Sequence, residues 1–157
     1  MADSILAVLA TVGVSIVPVL ELRAGIPLGL LLGLPPAVAT AAAIFGNILQ
    51  IQAALAVVAA VRRYGGRFTG LARWLERVER RATHHASLLN RYGWIGLAAF
   101  VLLPLPGTGV WGGVVLARLL QLGAGVTWLG LGIGVALSGL FFGLGWGGVL
   151  AGLGFLR

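Results

Sequence analysis

The chain has no cysteine, no lysine and only four acidic residues, Asp3, Glu21, Glu76 and Glu79. Without cysteine there is no disulfide framework and no thiolate for metal or redox chemistry. Charged side chains make up 10% of its 157 residues, against about 25% in an ordinary soluble domain, so a water-soluble globular fold is excluded. What fills the chain instead is apolar: 59% hydrophobic residues and 26 glycines, gathered into runs long enough to cross or deeply enter a hydrocarbon core of about 30 Å. This is the pattern of a small polytopic, all-α integral membrane protein, a single membrane domain over residues 1–157. The opening Met1-Ala2-Asp3-Ser4 lacks the basic start of a cleavable signal peptide, so the first apolar stretch is expected to be retained.

Charge divides the sequence into three parts: residues 1–61, 62–91 and 92–157. Eight of the eleven arginines (Arg62, Arg63, Arg67, Arg73, Arg77, Arg80, Arg81 and Arg91) fall in the middle part, opposed only by Glu76 and Glu79. Moving Arg across a membrane is unfavourable, so residues 62–91 are expected on the cytoplasmic side of a prokaryotic inner membrane, with multi-pass halves on either side. Tyr64, Phe68, Leu71, Leu75, Val78, Ala82, His85 and Leu89 recur at steps of four and three. That spacing predicts a basic amphipathic helix on the inner surface. Its partners would be membrane lipids with anionic headgroups rather than nucleic acid. His84 and His85 lie there without carboxylate neighbours, and no metal site is expected.

The two flanking halves share one plan. In the first, Ser4 to Leu20 runs into Glu21-Leu22-Arg23-Ala24-Gly25-Ile26-Pro27, and a short apolar piece, Leu28 to Leu34, leads to Pro35-Pro36. Seven residues rising ~1.5 Å each cover about a third of the hydrocarbon core. The reading is a re-entrant hairpin with Glu21 to Pro27 at its tip, followed by a full span over Ala37 to Val61. In the second, Trp94 to Leu103 is followed by Pro104-Leu105-Pro106-Gly107-Thr108-Gly109, then Val110 to Leu122, a break, and a span from Val126 to about Leu150. Entering from opposite faces, the halves would form an inverted repeat of two re-entrant hairpins plus full transmembrane helices, a plan common among transporters.

Chemistry has few carriers. Glu21 and Arg23 are, apart from Asp3, the only charged residues before Arg62, and an ionised group deep in a bilayer is normally functional. Glu21 can exchange a proton and Arg23 can hold an anion; alternatively both sit in the outer headgroup region, or they form a static ion pair. At the second tip Pro104 and Pro106 remove backbone donors while Gly107 permits close approach of backbone, and Thr108 offers a hydroxyl for substrate or for capping the next helix. Arg118 lies ~14 Å beyond Gly109 along a helix, either facing substrate or snorkelling to the interface. Asn47 and Gln50 share a face of the first long span and, with Gln52, either line a path or bond between helices. Glycines at four-residue steps (Gly29/Gly33, Gly109/Gly113, Gly130/Gly134, Gly139/Gly143/Gly147 and Gly148/Gly152) let helices approach, within one chain or across a homodimer. No His/Ser/Asp constellation or cofactor motif lies in the apolar parts, so neither an enzyme nor a bound cofactor is expected.

Glu21-Leu22-Arg23-Ala24-Gly25-Ile26-Pro27-Leu28-Gly29 and Pro104-Leu105-Pro106-Gly107-Thr108-Gly109 together resemble the small multidrug export protein family of prokaryotes, itself similar to the DedA membrane proteins. The resemblance covers most of the chain and implies two opposed hairpins in a small transporter. Through DedA it implies movement of a lipid phosphate such as undecaprenyl phosphate. By match to the motifs, Glu21, Arg23, Pro27, Pro104, Pro106, Gly107 and Thr108 would bind substrate; the second tip departs from DedA proteins in carrying no Arg. The expected function is thus a proton-coupled transporter or flippase for an anionic lipid phosphate. The alternatives are export of small lipophilic cationic drugs and a membrane scaffold without transport.

Overall fold

The computed structural model describes residues 2–64, 86–103 and 109–152. Among them are six helices and no strand: α1 (Ala2–Ile16), α2 (Glu21–Leu31), α3 (Pro36–Tyr64), α4 (Ala86–Leu102), α5 (Val110–Leu119) and α6 (Ala124–Gly152). Two are long and apolar enough to cross a membrane, over Pro36–Ala60 and Ala124–Val149; 25 residues at ~1.5 Å each reach past a core of about 30 Å. The 11 residues of α2 and 10 of α5 cover only about half of it. Among the described residues the expected all-helical character and the two long helices are observed. The basic amphipathic helix expected between residues 62 and 91 falls largely on 65–85, outside the described residues.

The first break is displaced from its expected place. It occupies Val17–Leu20, and Glu21 to Pro27 are helical, with Pro27 inside α2. A proline there leaves the Arg23 carbonyl without its helical donor; burial of Leu22, Ile26 and Leu30 on one face holds the helix together across that gap. The turn bends the chain through left-handed backbone at Val19 (φ 75°) and Glu21 (φ 51°), a conformation that a β-branched valine rarely adopts.

Both short return helices end in the same way. After α2, the Gly33 amide donates to the Leu30 carbonyl and the Leu34 amide to the Gly29 carbonyl, each at 3.0 Å. After α5, Gln121 donates to Arg118 at 3.2 Å and Leu122 to Ala117 at 2.9 Å. These are Schellman ends, in which a left-handed residue lets the chain satisfy the last carbonyls. Gly33 (φ 82°) takes that conformation without a Cβ, whereas Gln121 (φ 53°) takes it with one. The leucine that follows in each case, Leu34 or Leu122, is buried. Pro36 then opens α3, where its missing amide hydrogen costs nothing, and the Gly123 carbonyl accepts the Thr127 amide and hydroxyl in the first turn of α6.

Packing divides the chain into two compact units, Met1–Gln50 with Val135–Arg157, and Ile51–Gly134. In the first, α1 lies against α2 and the start of α3. A Cβ on Gly46 would fall 2.7 Å from Ser15 Cβ and 2.7 Å from the Val12 carbonyl oxygen, and one on Gly25 would meet the Ser15 hydroxyl. Gly139 and Gly143 of α6 abut Ile44 and Thr40 of α3, a register in which the two helices run antiparallel. In the second unit α4 packs on α6 likewise: a Cβ on Gly134 would lie 2.8 Å from Val101 Cβ and 3.0 Å from the Ala98 carbonyl oxygen. Leu97, Ala117 and Leu122 form its buried apolar cluster. Gly25 and Gly113, Gly33 and Gln121, Leu34 and Leu122, and Gly46 and Gly134 are pairs separated by one constant interval. The glycines at four-residue steps therefore serve packing within this chain at Gly29, Gly130, Gly134, Gly139 and Gly143, and a turn at Gly33; Gly148 and Gly152 meet nothing within 4 Å.

Candidate functional site

The buried polar side chains are concentrated in the first unit: Thr11, Ser15, Glu21, Asn47, Gln50 and Ser138, all at most 5% exposed. The outer faces are apolar, with Leu6, Leu9, Phe45, Leu140, Phe141 and Leu144 each more than half exposed. An exposed apolar face of this kind is suited to lipid, not water.

Glu21 opens α2 and lies on its buried face, one turn before Gly25. At 5% exposure its carboxyl is withdrawn from solvent among helices that bring no other described acid near it in sequence. Arg23, two residues on, projects differently and is half-buried. Its guanidinium carbon stands 5.7 Å from the centroid of the Phe142 ring on α6, within cation–π range. Phe142 is in turn met edge-on by Phe141, at 5.4 Å and 87°.

Asn47 and Gln50 are 1% and 0% exposed on the packed face of α3. All four of their side-chain nitrogen and oxygen atoms lack a hydrogen-bond partner. The nearby hydroxyls do not serve them: Thr11 donates to the Ala7 carbonyl at 2.8 Å and Ser15 to the Thr11 carbonyl at 2.7 Å, along their own helix. Leaving a buried amide unsatisfied costs about 1–3 kcal/mol per group.

Packing register sets the levels of these groups. Ser15 is flanked by Gly25 on α2 and Gly46 on α3. One turn further toward the Val17–Leu20 turn stands Glu21 on the antiparallel α2 and Gln50 on the parallel α3, each ~6 Å beyond Ser15 along its axis. Glu21 and Gln50 thus stand at one level, with Asn47 ~4.5 Å nearer the Ser15 contact, in a polar layer of the first unit beside the strained turn.

Of the other residues expected to bind substrate, Pro27 is built into α2 as a helical residue and Arg118 is exposed in the last turn of α5. Pro104, Pro106, Gly107 and Thr108 lie outside the described residues. Gln52 is exposed and does not share the buried face. The sequence reading passed over Phe142, whose only signal is an aromatic pair on a glycine-rich helix. It also passed over Trp111, whose indole nitrogen is buried without a partner two residues before Gly113, as Arg23 stands two before Gly25.

A family model described as "Putative small multi-drug export protein" matches residues 21–141. The chain belongs to this family. No curated protein and no solved structure matches it. The match begins at Glu21 and includes the whole polar layer of Glu21, Asn47 and Gln50. Membership in this family and two helices apolar and long enough to cross a bilayer together fit a helical membrane protein.

Proposed function

We propose that this small multi-drug export family member is a secondary transporter that moves small amphiphilic molecules across the prokaryotic inner membrane, with Glu21 as the group that takes up and releases the coupling proton. The observation that carries this is Glu21 itself: a carboxyl buried at 5% exposure in an apolar helical unit, next to a turn held in left-handed backbone. Ionisable groups in such places are costly and mark transport paths, and unusual backbone collects at switch regions.

The architecture is read as an inverted repeat with two re-entrant hairpins, α1–α2 and α4–α5, each followed by a spanning helix. Supporting it are the matched Schellman ends, the paired glycines Gly46 and Gly134, and the antiparallel run of α6 along α3. Residues 62–91 would face the cytoplasm and bind anionic headgroups. The substrate's apolar body would lie against Phe142 and its polar end beside Arg23.

The test is ethidium movement in proteoliposomes under an imposed pH gradient. Gradient-driven movement at least tenfold slower in Glu21→Gln is the expected result; equal rates for the two chains would remove Glu21 from the mechanism. A second substrate, an anionic lipid phosphate, is favoured by one observation, the half-buried Arg23 guanidinium beside the polar layer. Movement of a fluorescent polyprenyl phosphate that Arg23→Ala abolishes would make it the principal cargo.

A further inference from the structure

We infer that Asn47 and Gln50 form a buried binding site for a neutral hydroxyl group, filled by water in the resting protein or by a hydroxyl of the transported molecule. The pair presents two amino groups and two carbonyl oxygens, all four buried and all without partners. A cation would satisfy only the carbonyl oxygens and an anion only the amino groups. A hydroxyl both donates and accepts, so a single small group of this kind answers both kinds of orphan. The two side chains are three residues apart on one helical face, close enough to serve one ligand or a short chain of them. The hydroxyls of Thr11 and Ser15 are not that ligand, since they give their protons to helix carbonyls.

Position gives the site a use. Gln50 stands at the level of Glu21, one turn above the Ser15 contact with Gly25 and Gly46, and Asn47 lies ~4.5 Å nearer that contact. In the transporter reading, on which this step rests, water held there gives the buried carboxyl a proton donor and acceptor inside the protein. A substrate hydroxyl displacing that water would close the same route.

The experiment is water-edited solid-state NMR on the full chain in lipid bilayers, with ¹⁵N in the side-chain amides. The sequence has only two Asn and three Gln, so Asn47→Leu and Gln50→Leu assign the two signals by their loss. Exposed Gln121, in the turn that follows α5, is the internal control. The expected result is that Asn47 and Gln50 receive magnetisation from water within twofold of the control rate. Adding chloramphenicol, a neutral amphiphile with two hydroxyls, separates the sources: unchanged water contact assigns water, and lost water contact with shifted amide signals assigns the substrate hydroxyl. Amides that stay dark to water and unmoved by the probe, with the double Leu variant melting at a higher temperature, would overturn the site. The readout is hydration and not transport, so its failure is distinguishable from failure of the transport reading.

Discussion

Replacing Gly46 with alanine tests how tightly α1 is held against α3. The new Cβ would sit 2.7 Å from Ser15 Cβ and 2.7 Å from the Val12 carbonyl oxygen, where carbon contacts ordinarily settle at about 3.5–4.0 Å. The shortfall is roughly 1 Å, and one of the two obstacles is backbone that cannot rotate away. Forcing a methyl into such a contact costs about 1–3 kcal/mol. Alanine also returns about 1 kcal/mol through helix propensity, which would mask part of the loss. Gly145→Ala cancels that return, because Gly145 lies in α6 with nothing within 4 Å. The difference between the variants is then the overpacking cost alone, and at ~2–4 °C per kcal/mol for a chain of this size it is measurable. The assay is thermal unfolding of purified protein in detergent, followed by fluorescence-detected size exclusion. Gly46→Ala should melt well below Gly145→Ala, which should melt at or above the native chain. Equal melting temperatures would refute the close approach of α1 and α3 at this level, and with it the register that sets Gln50 beside Glu21.

Other expectations follow from single contacts. Gln121→Gly should raise stability by up to ~1 kcal/mol, since a left-handed residue with a Cβ costs roughly 1–2 kcal/mol and glycine gives part of that back as chain entropy; the same melting assay reads it. Leu122→Ala should cost about 2–5 kcal/mol, because it empties a buried position in the cluster with Leu97 and Ala117. Phe142→Leu should remove a cation–π contact worth about 0.5–2 kcal/mol and weaken polyprenyl phosphate movement if Arg23 handles that cargo. Val19→Gly should relieve the turn and stabilise the fold while slowing ethidium transport, and a variant both more stable and equally active would show that the turn's strain has no role in movement.

Much of the fold is legible in the sequence because prolines and glycines punctuate it. Gly33 before Leu34-Pro35-Pro36 announces the end of one helix and the start of another. The run from Pro104 to Gly109 separates α4 from α5, and the lengths of α3 and α6 follow from unbroken apolar stretches. The first tip was misplaced because Pro27 reads as a breaker, while the real turn rests on left-handed backbone at Val19 and Glu21, two residue types that carry no local signal for it. Gln121 is equally silent, as its conformation is set by the buried leucine that follows. For the candidate site, spacing alone puts Asn47 and Gln50 on one face and marks Glu21 as an isolated charge. Spacing cannot tell that the amides lack partners, which depends on how α1 and α2 pack against α3, or that Arg23 stands over Phe142, more than a hundred residues further along the chain.

The two long helices belong to both packing units, with the boundary falling at Gln50 within α3 and at Gly134 within α6. A fragment ending at Tyr64 would therefore carry the first hairpin without the half of α6 that completes its unit. A fragment starting at Ala86 would have the reciprocal deficit. Made separately, each is an unfinished fold, and made together they are obliged to trade helices to become whole. A gene split between the two halves would consequently encode an obligate pair of partners rather than two small independent proteins.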